Sequence, residues 1–134
     1  MIEQKTKRRC VRSYCDLIAW QKAMTLAQQI YQETRAFPKE ETYGITSQMR
    51  RAAVSVASNI AEGQARNTRG EFVQFLGQAR GSLAELETQT ILSARLGLLS
   101  KEPERTLMEQ LAEVGRLLNG LRDSLKRNPN STDH

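Results

Sequence analysis

Residues 68–90 read TRGEFVQFLGQARGSLAELETQT, and their pattern decides the fold. Thr68 and Glu71 form a Thr-x-x-Glu pair immediately before Phe72. That spacing predicts a capping box, in which each side chain satisfies the other residue's free backbone amide at the start of a helix. Phe72, Leu76, Ala79, Leu83, Leu86 and Thr90 then recur at gaps of four and three. Such steps put these side chains on one face of an α-helix, as in the seam of a bundle. Gly97 is a candidate C-terminal stop, because glycine enters the left-handed backbone that ends many helices. The expected helix covers about residues 69–96.

The same period extends outward in both directions. Upstream, a helix over about 46–65 carries Met49, Ala53, Val56, Ile60 and Gly63 in line, widened by Ala52 and Ala57. Thr46 or Ser47 is its candidate N-cap, a side-chain oxygen accepting from a free amide. Before it, residues 16–36 carry Leu17, Trp20, Met24, Ala27, Tyr31 and Thr34 at heptad gaps, read as the core seam. Pro38 ends this helix, since the residue before a proline is pushed out of helical geometry. Downstream, Ser100 and Pro103 suit the first turn of a helix over about 101–127. Its seam is Leu107, Leu111, Val114, Leu118, Leu121 and Leu125, and Lys126 and Arg127 suit the negative end of its dipole.

Four amphipathic helices on short connections predict an all-α, antiparallel up-down-up-down four-helix bundle in a single domain. It spans residues 14–127, between an N-terminal arm (1–13) and a polar tail (128–134). No strand alternation competes with this reading. At 134 residues the chain is long enough to bury a core without staples. Aromatic residues are 5% of the chain, so Leu and Ala must build that core.

The net charge of +5 is unevenly placed. Lys5, Lys7, Arg8, Arg9 and Arg12 against Glu3 give the arm +4, which leaves the bundle near neutral. A basic arm of this kind either contacts phosphate backbones through counterion release or serves as a solvated tail. No apolar run approaches the roughly 18 residues that cross a bilayer, and no apolar segment follows the basic start as in a signal peptide. The expectation is a cytoplasmic protein with no membrane partner.

The common catalytic arrangements are missing. The sole histidine is His134, which leaves no Ser/His/Asp or Cys/His grouping. The sequence has no HExxH, P-loop or GxGxxG, and no Glu-x-x-His of the di-iron bundles. Cys10 and Cys15, without a second cluster, do not form a zinc site and are expected to be reduced thiols. No cofactor, metal or catalytic residue is expected. A carboxylate acid/base site stays open on spacing alone, and Glu62 beside Arg66 is its candidate.

One helix face is unusual. At about 100° per residue, Gln48, Arg51, Ser55, Asn59, Glu62 and Arg66 form a polar stripe beside the apolar line of 46–65. The next helix has a counterpart in Glu71, Gln74, Gln78, Ser82, Glu85 and Gln89. Antiparallel packing about Asn67 sets Arg51 level with Glu85, where a charge-assisted pair fits. The stripe is either an ordinary wet face or a polar, close-packed contact surface between subunits. Arg50 joins the arm residues as a candidate nucleic-acid contact. No RNA-binding motif or interleaved aromatic platform supports it.

Several segments together carry a family resemblance. They are Tyr14-x-x-Leu17-x-x-Trp20-Gln21-Lys22-Ala23, Thr34-x-x-Phe37-Pro38, the run Gln48–Gly63 (QMRRAAVSVASNIAEG), and Glu71-Phe72-x-x-Phe75-Leu76-x-x-Ala79-x-Gly81-Ser82-Leu83-x-Glu85-Leu86-Glu87. Over about residues 14–125 this resembles the four helix bundle proteins also called 23S rRNA-intervening sequence proteins. The resemblance implies a left-handed bundle that assembles as a homopentamer with no assigned activity. It also implies a relation to the accessory variability proteins of diversity-generating retroelements. Those assemble as pentamers and bind a reverse transcriptase and nucleic acid. The arm of residues 1–13 precedes the family's usual start near Tyr14.

The reading is therefore a non-catalytic homo-oligomeric scaffold that binds RNA, DNA or a ribonucleoprotein partner. Its rivals are a protein-only adaptor that recruits an enzyme such as a reverse transcriptase, and a carboxylate enzyme built on Glu62.

Overall fold

The computed structural model describes residues 13–127. Four helices follow in order: α1 (Ile18–Thr34), α2 (Ile45–Gln64), α3 (Arg69–Arg95) and α4 (Lys101–Arg127). Short 3-10 turns at Ser13–Asp16 and Lys39–Glu41 precede α1 and α2. No strand occurs among the described residues. The arm cations Lys5, Lys7, Arg8, Arg9 and Arg12 and the tail lie outside these residues. Cys15, expected as a reduced thiol, is disulfide-bonded, and Cys10 lies outside the described residues.

The helices form a closed ring of neighbours in chain order, with α2 and α3 the most extensive pair. Among the described residues, no Cα atoms of α1 and α3 approach within 8 Å, so these helices sit at opposite corners. Cross-contacts give the antiparallel sense. Ser55 meets Ser82 while Met49 meets Ser93, and Arg69 reaches Leu125.

The helix ends follow their local chemistry. The Thr68 hydroxyl accepts from the Glu71 amide at 3.1 Å and donates to the Glu71 carboxylate at 3.1 Å. The carboxylate thus returns to the hydroxyl, not to the Thr68 amide that a full capping box would use. Gly97 ends α3 with φ 80°. The Leu98 amide bonds the Ser93 carbonyl and the Gly97 amide bonds that of Ala94, as in a Schellman motif. Arg69 donates to the Leu125 carbonyl at 2.9 Å, a cation on the open carbonyls of α4.

The start of α2 departs from expectation. Gly44, not Thr46 or Ser47, occupies the N-cap, and no side chain caps it. The Gly44 amide closes on the Glu41 carbonyl, so the turn at Lys39–Glu41 runs directly into the helix. Thr46 is consequently helical and buried, and its hydroxyl has no hydrogen-bond partner.

The seams of α2 and α3 lie in the core as expected, with Met49, Val56, Ile60, Leu76, Ala79 and Leu86 fully buried. On α4, Leu107, Leu111, Val114 and Leu118 are buried, while Leu121 and Leu125 are only partly covered. The seam of α1 is corrected. Its core line is Ala19, Ala23, Leu26 and Ile30, which leaves Met24 and Tyr31 more than two-fifths exposed. Helix α1 carries two apolar lines one residue apart, about 100° around its axis. The line rich in alanine lets the backbone approach its neighbours. The aromatic line is left at the rim, although Ala27 and Thr34 from it are buried.

Candidate interaction surface

The polar stripe of α2 faces α3, and its middle is bonded within the chain. Ser55 and Ser82 hydroxyls meet at 2.8 Å. Asn59 Nδ2 donates to the Ser55 carbonyl at 2.9 Å and to its hydroxyl at 3.1 Å. These groups are half-buried. Helices can approach here because Gly63 lies one turn beyond: a Cβ at Gly63 would sit 2.8 Å from Phe75 Cβ and 2.9 Å from Phe72 Cδ1.

The two ends of the stripe differ from the middle. At one end, exposed Glu62 accepts from Arg66 Nη2 at 2.7 Å, and the guanidinium lies 4.8 Å from the centre of the Phe75 ring. Arg66 is thereby fixed on its own helix and on α3. Glu62 stands on an open surface, not in a buried pocket where an acid/base carboxylate would be tuned. At the other end, Gln48, Arg51, Ala52, Ser55 and Glu85 line a cavity of about 360 Å³ between α2 and α3. The expected pair between Arg51 and Glu85 is not made: no ion pair joins them within 4.0 Å. Both side chains are exposed, and water screens the attraction that would hold them together. On α3, Gln89 turns inward and is 7% exposed, with its Oε1 unbonded.

Arg50 points away from the stripe. Its Nε donates to the Thr34 hydroxyl at 2.9 Å, which in turn donates to the Ile30 carbonyl at 2.7 Å. Its guanidinium stacks 4.6 Å from the centre of the Tyr31 ring. This residue ties α2 to α1. Among the described residues, no three His, Cys, Asp or Glu side chains group as a metal site requires. No helix among them is long and apolar enough to cross a membrane.

A larger groove lies elsewhere, between α1 and α2. Its volume is about 650 Å³, and its walls include Tyr14, Trp20, Met24, Tyr31, Val54 and Ala57. Tyr14 and Trp20 pack edge to face at 5.3 Å at one end, and Arg35 is the one charged wall residue among the described residues. Met24, Tyr31 and Val54 are 41%, 42% and 44% exposed, so the floor is apolar and open. The heptad line of α1, expected to face the core, supplies this wall instead. A second line at the same spacing, Ala19-Ala23-Leu26-Ile30, was the clue that one of the two must face outward.

A sequence model of the 23S rRNA-intervening sequence proteins matches residues 15–120. The fold is similar to the crystal structure of a protein of unknown function from the S23 ribosomal protein family of Bacteroides thetaiotaomicron. The TM-score is 0.71 at 20% identity, covering 78% of this chain and 98% of that one. No curated protein matches the chain.

Proposed function

The chain belongs to the 23S rRNA-intervening sequence protein family, and from that premise we propose that it is a non-catalytic homo-oligomeric scaffold. The assembly is a pentamer in the cytoplasm that presents basic arms to RNA or DNA. The observation that carries this reading is the open apolar groove between α1 and α2. A row of large side chains about two-fifths exposed marks a contact surface, because single soluble domains rarely leave such a patch uncovered. The +4 charge of residues 1–15 supports nucleic acid as the ligand of the assembled particle. Five arms on one particle bind by avidity even where one arm binds weakly. The resemblance to retroelement accessory proteins points the same way.

A second reading, a protein-only adaptor that recruits an enzyme such as a reverse transcriptase, is favoured by the cavity of Gln48, Arg51, Ser55 and Glu85. There opposite charges stand close without pairing, available to a polar partner. The test is a salt titration of RNA binding by the native chain and by a variant with Lys5, Lys7, Arg8, Arg9 and Arg12 replaced by Gln. The scaffold reading expects weaker binding and a flatter slope, by about 0.7 per lost phosphate contact on a single strand. Identical affinity and slope would overturn the nucleic-acid role and move the assignment to the adaptor.

A further inference from the structure

We propose that the cavity between α2 and α3 binds a small zwitterion of the α-amino acid class, its carboxylate held by Arg51 and its ammonium by Glu85. The assignment does not depend on oligomeric assembly. Gln48, Arg51, Ala52, Ser55 and Glu85 enclose about 360 Å³. That volume lies at the low end of ligand pockets, which run from roughly 300 to 1,000 Å³, and suits a molecule of few heavy atoms. Among the described residues, the side chains of Gln48, Arg51 and Glu85 make no hydrogen bond or ion pair. Exposed charges elsewhere in the chain do pair: Glu62 and Arg66, one turn apart on one helix, meet at 2.7 Å. Arg51 and Glu85 instead stand on separate helices with the cavity between them. A solute that carries both charges can bridge that gap and satisfy both side chains at once.

Each wall residue supplies a different part of the recognition. The guanidinium of Arg51 presents paired N–H donors in a fixed fork, the geometry that matches a carboxylate in two bonds. Gln48 closes the first turn of α2, its amide bonding the Gly44 carbonyl at 3.1 Å. That turn has no side-chain cap and no acidic residue, so no side chain of α2 offsets the positive end of its dipole. The α2 wall therefore favours the carboxylate, and the ammonium faces Glu85 on α3. The Ser55 hydroxyl has three hydrogen-bonding positions, of which Ser82 and Asn59 occupy two. One position remains for the ligand. Ala52 is 4% exposed and adds only a methyl to the floor, which leaves room for a short side chain. The Gln48 amide both donates and accepts, and it favours a ligand side chain that ends in an amide or hydroxyl over a hydrocarbon. L-Glutamine combines these features and is the probe of choice.

The test is equilibrium dialysis of the full chain against radiolabelled L-glutamine. The native chain is expected to take up the probe saturably at concentrations up to about 10 mM, the range open to so small a ligand. Arg51→Gln and Glu85→Gln each remove one of the two charge contacts. Each is expected to weaken binding by about tenfold or more, with unchanged helical circular dichroism. Unlabelled L-alanine, which keeps both charges, is expected to compete. Acetate and methylammonium carry one charge each and are expected to compete at least about tenfold less well. This competition uses the native chain alone, so it decides the matter even where a variant fails to fold. Absence of saturable uptake by the native chain overturns the assignment, as does undiminished uptake by both folded variants. Competition by acetate as strong as by L-alanine also overturns it, reducing the cavity to an anion contact at Arg51. Each of these failures leaves the oligomeric reading standing.

Discussion

The hydroxyls of Ser55 and Ser82 meet at 2.8 Å across the α2–α3 seam. Two small polar residues thereby close the middle of a stripe that would otherwise be surface. Below them Gly63 lets the Phe72 and Phe75 rings pass against the α2 backbone. Above them the seam opens into the cavity of Gln48, Arg51 and Glu85. The stripe is thus a helix-pairing device in its middle and an accessible polar surface only at its ends.

Replacing either serine with alanine should therefore destabilise the chain. The expected loss is about 1 kcal/mol in urea unfolding at fixed protein concentration. Ser55→Ala should cost more than Ser82→Ala, since Asn59 also donates to the Ser55 hydroxyl at 3.1 Å. The double variant should lose less than the two single losses combined, because one bond is removed twice. Strict additivity would mean that the hydroxyls do not interact in solution.

Gly63→Ala should destabilise by about 1–3 kcal/mol, the usual cost of overpacking, although alanine is the better helix former. The new methyl would sit within 2.8 Å of Phe75 Cβ, which belongs to a backbone-anchored atom and cannot swing aside. Thermal unfolding of this variant reads the balance directly. A rise in melting temperature would show that the α2–α3 spacing is looser than described.

Arg50→Met should lower stability by about 1–3 kcal/mol, because it removes a charge-assisted hydrogen bond to Thr34 and the stack on Tyr31. Arg50→Lys should recover little of it, since an ammonium cannot both stack flat on the ring and present Nε to the hydroxyl. RNA binding at fixed salt should be the same in both variants as in the native chain. A selective loss of RNA affinity without loss of stability would return Arg50 to the ligand-binding residues.

Arg51→Glu should leave the stability of the chain within about 0.5 kcal/mol, as expected for an exposed side chain without a partner. Its effect belongs to recognition. If the adaptor reading holds, pull-down of the partner protein should fall sharply at high salt as well as low. An unchanged complex would take the Arg51–Glu85 cavity out of the adaptor's contact surface.

The helices were legible because their seams repeat over about four to five turns, and because Thr68 and Gly97 carry strong end signals. The core faces of α2 and α3 followed from Val, Ile, Leu and Phe at heptad spacing with polar residues opposite. Helix α1 departs from the expected seam because its heptad gaps fit two apolar lines equally, one through Trp20, Met24 and Tyr31 and one through Ala19, Ala23 and Ile30. Spacing alone cannot rank two apolar lines set 100° apart; the neighbours decide, and here they required small residues. The destination of Arg50 was illegible for a similar reason. Its partners Tyr31 and Thr34 lie on another helix, and only the α1–α2 register brings them within reach. The level placement of Arg51 and Glu85 was readable from the hairpin geometry, whereas their failure to pair depends on exposure.

The central claim is that the chain assembles with copies of itself through an apolar surface. Size-exclusion chromatography with light scattering, run on the native chain at high salt without nucleic acid, tests it most directly. The account predicts a mass near 76 kDa, five chains of 15.2 kDa, held at high salt because burial of apolar surface drives the contact. A single peak at 15.2 kDa would contradict it.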